Sequence, residues 1–157
     1  MALEIERKFL VVDESWRNHV NKSMTIRQGY LSTDPSCSVR IRISDNNASL
    51  NIKSATLGIT RNEYDYAIPV SDAEELLDKL CIKPLLEKER FLVRHVDQVW
   101  EIDVFSGANT GLVVAEIELE SDKHSFEKPA WLGNEVSDDP RYYNVCLVMK
   151  PYCDWQD

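Results

Sequence analysis

This chain has little of what zinc proteins, membrane proteins and nucleic-acid binders need. Its four cysteines, Cys37, Cys81, Cys146 and Cys153, include no C-x-x-C pair, and no His-x-His spacing accompanies them, so zinc is not expected. No apolar run approaches the roughly 20 residues that span a bilayer. No basic stretch leads into an apolar one at the amino terminus, so no signal peptide is expected, and free thiols in a reducing cytoplasm are the simplest reading. Cations are in the minority: 18 Lys and Arg stand against 27 Asp and Glu, for a net charge of −9 and a pI near 4.8. That balance argues against nucleic acid or an anionic membrane as a partner on the outer surface, so any polyanion has to be met in an enclosed site. Repeats, low-complexity tracts and linkers are also missing, and the 157 residues read as one domain, 1–157.

Strand signals dominate what is present. Alternation predicts strands over 3–11, Met24–Leu31, Cys37–Ser44, Ala48–Ser54, Arg61–Ile68, Leu85–His95, Val99–Phe105 and Val113–Glu120. Turn chemistry separates several of them, as in Asp34-Pro35-Ser36, Asp45-Asn46-Asn47 and Ser106-Gly107-Ala108-Asn109. The short spacings point to antiparallel meanders rather than βαβ units. Helical signals are fewer. Ser71-Asp72-Ala73-Glu74 is a capping-box pattern before Leu76, Leu77 and Leu80, predicting a helix over about 71–81. A short helix is expected at Ser121–Phe126, and Asp139-Pro140 predicts a capped helix from about 140 to 150.

The strands carry an unusual distribution of charge. With a period of two, Glu4, Glu6 and Lys8 share one face of the first strand while Ile5, Phe9 and Val11 lie mostly on the other. The pattern recurs with Arg40 and Arg42, with Lys53, with Lys88 and Arg90, with Glu101 and Asp103, and with Glu116, Glu118 and Glu120. Hardly a Ser or Thr interrupts these faces, and apart from Lys8 beside Glu4 and Glu6 the signs segregate by strand. Two arrangements fit. In one, the charged faces are solvated outer surfaces knit by cross-strand ion pairs around an ordinary core. In the other, the barrel is inverted, with a charged, wet lumen and apolar outer faces covered by helices. Segregation of sign favours the second, because random decoration mixes signs within a strand. Such a lumen suits a polyphosphate and its metal: oxygens of the anion want Arg forks and Lys ammoniums, and a hard divalent cation wants carboxylates. Phosphoryl transfer then asks mainly for positioning and charge stabilisation around an attacking water.

The ordered set Glu4-Ile5-Glu6-Arg7-Lys8-Phe9-Leu10, Arg27-Gln28-Gly29-Tyr30-Leu31, Arg40-Ile41-Arg42, Asn51-Ile52-Lys53-Ser54, Arg61-Asn62-Glu63-Tyr64, Glu87-Lys88-Glu89-Arg90, Glu101-Ile102-Asp103, Ala115-Glu116-Ile117-Glu118, Trp131-Leu132-Gly133-Asn134-Glu135-Val136 and Arg141-Tyr142-Tyr143-Asn144 resembles the CYTH superfamily, the triphosphate tunnel metalloenzymes. The likeness runs over essentially the whole chain and is greatest to the short bacterial members. It implies an eight-stranded antiparallel closed barrel, a tunnel with a charged lumen and a few flanking helices, including a carboxy-terminal one. It implies hydrolysis of a triphosphate, typically inorganic tripolyphosphate rather than ATP, with Mg2+ or Mn2+. By resemblance Glu4, Glu6, Glu116 and Glu118 are metal ligands. Lys8, Arg40, Arg42, Lys53, Lys88 and Arg90 are phosphate clamps. Asp103 holds a second metal, orients water or anchors a salt bridge. Lys88 is a candidate proton donor, and Tyr30 occupies a position linked to triphosphate preference. Glu63 and Glu101 support the tunnel's charged groups, and Arg141 either joins them or caps its helix.

Other readings stay open on sequence alone. A class IV adenylate cyclase needs a base-binding pocket, for which there is no clear sequence element. A polyphosphate or nucleotide sensor without turnover needs the cations but not the acids. Nothing in the pattern selects an oligomeric state, a homodimer included.

Overall fold

Strand β1 (Ala2–Val11) organises the molecule by pairing with three partners. In the computed structural model, which describes residues 2–55 and 59–155, it is followed by β2 (Val20–Asp34), β3 (Cys37–Ser44), β4 (Asn47–Ser54), β5 (Thr60–Ile68), helix α1 (Val70–Lys79), β6 (Leu86–His95), β7 (Gln98–Ser106), β8 (Val113–Glu118), β9 (Leu132–Glu135) and helix α2 (Asn144–Met149). The hydrogen-bonded order is β5-β4-β3-β2-β6-β7-β8-β1, and β5 pairs back onto β1, closing an eight-stranded antiparallel barrel. One edge of β1 takes β8 along Glu6–Leu10. The other edge takes β5 along Ala2–Ile5 and then β9 at Phe9 and Val11.

The barrel is inverted, as the charge pattern predicts. On the outside of β6, β7, β8 and β1, residues Val93, Trp100, Ile102, Ala115, Ile117, Ile5 and Phe9 form one apolar cluster with Trp16, Leu119 and Trp131 from the connecting segments. On the outside of β3 and β4, Ile41, Ile43 and Ala48 are covered by Ala73 and Leu77 of α1 and by Cys81. Gly29 makes that cover possible: a Cβ there would lie 2.8 Å from both Cys81 Cβ and Leu85 Cδ2. A third cluster sits on the lumen face at one end. Tyr30, Leu86, Phe105 and Val114 meet Leu147 and Val148 of α2, so the carboxy-terminal helix stoppers that end of the tunnel. Among the described residues no helix is long and apolar enough to cross a membrane.

Several elements differ from the sequence expectation. The capping box does not form: α1 starts at Val70 with Pro69 as its cap, and Ala73 N donates to Pro69 O. Ser121–Phe126 is turn and extended chain, not helix. Phe126 is drawn across the outer cluster, edge-on to Phe9 and Trp100, and Pro129 disfavours helix just beyond it. Strand β9 and a 3-10 turn at Ser15–His19 were not foreseen. The 140–150 segment splits into a 3-10 turn at Pro140–Tyr142 and then α2, with Tyr143 extended between them. Lys8 Nζ donates to Tyr142 O at 3.0 Å, which fixes the break. The Asp139-Pro140 cap itself forms, Asp139 accepting from Arg141 N.

Candidate active site

Alternation along the strands delivers charge to the lumen, and register sets which groups meet. Lys8 lies opposite Glu116, Glu6 opposite Glu118, and Glu116 in turn opposite Glu101. Arg90 lies opposite Asp103, Tyr30 opposite Arg40, and Glu4 opposite Arg61. Glu4, Lys8, Arg40, Lys53, Lys88, Arg90, Asp103 and Glu116 are all buried despite their charge, while Glu6, Arg42, Glu63 and Glu101 are partly buried. Glu118 is exposed at the end of β8, and Arg141 is exposed outside the lumen, held by Asp139.

Two ion clusters result. In the first, Lys88 Nζ donates to Asp103 Oδ2 at 2.6 Å, and Arg90 makes a fork onto the same carboxylate, at 2.7 Å and 2.9 Å. Arg90 also pairs with Glu101 and lies 3.6 Å from Glu116, whose other oxygen is 3.4 Å from Lys8 Nζ. In the second, Lys53 lies 2.8 Å and Arg61 3.3 Å from Glu4, while Asn51 donates to Glu63 at 3.0 Å.

These placements move the proton affinities. Burial pushes Glu4 and Glu116 up, but neighbouring groups win and hold both well below the usual carboxylate range: a hydrogen bond to Glu63 and the charges of Lys53 and Arg61 for Glu4, and Lys8, Arg90 and Lys88 for Glu116. Burial, then the charges of Glu116 and Glu4, raise Glu6 to about 8. Burial brings Lys88 down to about 7 against the pull of Asp103. Burial, with Arg40 and Arg90 beside it, brings Arg42 down to about 9.

Among the described residues, Arg40 and Arg42 have no carboxylate within ion-pair distance, and Arg40 Nε is buried without a partner. They are the lumen cations left with charge to spare. The cavity between the acid strand β1 and the β3–β5 wall measures about 670 Å3 including its open mouth. Its lining brings together Glu4, Glu6, Lys8, Tyr30, Arg40 and Lys53 of the predicted residues, whereas Arg42, Glu63, Lys88, Arg90, Glu101, Asp103, Glu116, Glu118 and Arg141 do not line it. It adds groups to which the sequence assigns no site role: Ser38, Asn51, Arg61, Ser137, Tyr143 and Asn144. Arg61 carried a legible signal, since it shares a lumen-facing alternation with Glu63. Ser137, Tyr143 and Asn144 carried none, because tertiary packing alone brings them to β1: Ser137 Oγ accepts from Lys8 N, and Tyr143 hydroxyl donates to Ser137 O.

A CYTH domain matches residues 2–143. The chain belongs to the CYTH family. It is 43% identical over 157 residues to an inorganic triphosphatase of Acetivibrio thermocellus, covering 100% of both chains. It is 34% identical over 151 residues to an inorganic triphosphatase of Nitrosomonas europaea, covering 93% of this chain and 97% of that one. A crystal structure of an inorganic triphosphatase aligns with a TM-score of 0.67 at 33% identity, over 95% of this chain and 96% of the other.

CYTH triphosphatases are metalloenzymes, and the donor set here fits a hard divalent ion. Glu6, flanked by Glu4 and Glu116, is a carboxyl that burial and like charge hold in its protonated form, the condition a bound cation would relieve. Among the described residues no three carboxylate, imidazole or thiol groups gather closely enough to hold a metal by themselves. That suits an ion such as Mg2+, which takes one or two carboxylates and completes its shell with water and substrate phosphate.

Proposed function

We propose that this CYTH protein hydrolyses inorganic tripolyphosphate to pyrophosphate and phosphate, with Mg2+ or Mn2+ as its cofactor. The observation that carries this reading is a cavity lined by the carboxyls of Glu4 and Glu6 and by Arg40, whose charge no carboxylate neutralises, with Glu116 and the likewise unpaired Arg42 on the same strand faces. Full-length similarity to two inorganic triphosphatases supports the same substrate. One or two of Glu4, Glu6 and Glu116 would hold the metal, with water and substrate phosphate completing its shell and Glu118 at the rim. Such an ion, when bound, would screen the phosphate charge from these carboxylates and polarise the phosphoryl oxygens.

The rest falls to the chain. Arg40, Arg42, Lys8 and Lys53 bind phosphoryl oxygens, and Arg61 joins them once an anion competes with Glu4. Tyr30, opposite Arg40, borders the same anion site and bears on triphosphate preference. Water, oriented by a lumen carboxylate, attacks the terminal phosphorus; its oxygen forms the new P–O bond as the bridging P–O bond breaks. The proton needed by the pyrophosphate oxygen comes from Lys88, whose ammonium gives it up near neutral pH. Asp103, tied by three hydrogen bonds to Lys88 and Arg90, is better suited to anchor those two cations than to hold a second metal. Glu63 and Glu101 steady Asn51 and Arg90 in the same way. The four free thiols suit a cytoplasmic setting, and residues 1–157 act as a single CYTH domain.

The test is phosphate release from tripolyphosphate and from ATP, with EDTA, Mg2+ or Mn2+, for the natural sequence and for Glu116→Gln. Metal-dependent release favouring tripolyphosphate is expected, with turnover about 100-fold or more lower in the variant, the scale of losing one electrostatic group at the reacting centre. No release from either substrate by the folded protein would sink the reading.

A further inference from the structure

Gln28 lies in the middle of β2, fully buried, on the lumen face between Ile26 and Tyr30. Its strand neighbour on β3 is Arg42, and Arg42 Nε donates to Gln28 Oε1 at 2.9 Å. A guanidinium offers donors only, so this contact settles which end of the carboxamide faces Arg42. Gln28 Nε2 is therefore turned away from it, and it is buried with no hydrogen-bond partner among the described residues. A buried orphan donor is destabilising, and an apolar side chain of the same length would fill the site without that cost. The carboxamide thus calls for an explanation beyond packing.

The chemistry of the acceptor supplies one. Lys8, Lys53, Arg61, Lys88 and Arg90 are each paired with a carboxylate. Arg42 is held by a neutral oxygen instead. We infer that Gln28 is a positioning residue for the anion site: it aims the Arg42 guanidinium without cancelling its charge, keeping a carboxamide where a carboxylate would neutralise it. The inference rests on the triphosphatase reading. Glutamate, almost the same shape, would pair with Arg42 and remove the charge that an incoming polyphosphate needs.

The test compares Gln28→Glu and Gln28→Met with the natural protein, reading KM and kcat for tripolyphosphate, its affinity by calorimetry, and thermal melting. Gln28→Glu is expected to raise KM and weaken tripolyphosphate binding at least tenfold, with kcat changed less and the melting temperature unchanged or higher. Gln28→Met should weaken binding less, since it leaves Arg42 charged but unaimed. In an Arg42→Ala background, Gln28→Glu should add less than threefold, because the group it acts through is gone. Tripolyphosphate affinity and KM within twofold of natural for Gln28→Glu would overturn the inference. So would a Gln28→Met variant that loses as much affinity as Gln28→Glu, because charge cancellation would then play no part. Failure of the natural protein to release phosphate would instead count against the triphosphatase reading, and the calorimetric comparison would still decide Gln28. Absence of any tripolyphosphate binding would remove both.

Discussion

Asp103 shows what single residues do in this lumen. It is fully buried, and it carries the only carboxylate oxygens that Lys88 touches among the described residues, while also taking the Arg90 fork. Removing one partner of a buried ionic group leaves the others uncompensated, at a cost of about 3–5 kcal/mol. Asp103→Ala should therefore lower the melting temperature by about 10 °C, measured by circular dichroism without metal or phosphate; a shift under about 2 °C would show that the cluster is solvated. Residues of this kind were legible in the sequence, because a charge at every second position of a strand announces which face it occupies. Glu4, Lys8, Arg40, Lys53, Lys88 and Glu116 all followed that rule. Asn51 was placed by sharing its face with Lys53, but Gln28 did not stand out, since a neutral amide on a strand looks the same whether it faces solvent or a lumen. Tyr143 and Asn144 were beyond any local rule.

At the scale of elements, α2 is the informative case. It has six residues, too few to persist in water alone, and its stability comes from Leu147 and Val148 seated on Tyr30, Leu86, Phe105 and Val114. Leu147→Ala should cost about 2–5 kcal/mol in denaturant unfolding, the range for a fully buried leucine. An effect below about 1 kcal/mol would mean that the helix merely rests on the barrel end. The strands were read nearly to their ends because their alternation is strict. The carboxy-terminal segment was read as one helix because proline after aspartate marks a start, and nothing local marks the interruption at Tyr143: the Lys8 ammonium that takes the Tyr142 carbonyl comes from the opposite end of the chain. Strand β9 was invisible for a related reason. Four residues with a glycine among them show no periodicity, and the free edge of β1 recruits them.

At the scale of the molecule, the lumen sets how stability follows pH. Glu6 ionises near 8 when folded and near 4.5 when unfolded. Between those values the folded state keeps a proton that the unfolded state has lost, so raising the pH favours unfolding, by up to about 1.4 kcal/mol per pH unit. Glu63 and Glu101, also raised, act in the same sense. Glu4 and Glu116, held low, contribute stability present above about 4.5 and lost below it. Lys88, depressed to about 7, works the other way: stability gains with pH from 7 upward, offsetting Glu6 there. In EDTA the melting temperature should thus peak near pH 5 and fall toward pH 7, and Glu6→Gln should flatten that fall. A melting temperature that rises from pH 5 to 7 in EDTA would show that Glu6 titrates like an ordinary carboxylate.

The three-partner pairing of β1 has a consequence for the order in which the molecule assembles. Lys8 depends on Ser137 and Tyr142, 129 and 134 positions away, and the closing pair β1–β5 spans about a third of the chain. Contacts of such separation form late, after local hairpins such as β3–β4 and β6–β7 have drawn the chain in. Until then the ionic groups destined for the lumen remain hydrated, and the cost of burying them falls on the final step of closure. The active site is thus the last part of the molecule to exist, and activity recovered during refolding should trail the return of strand signal.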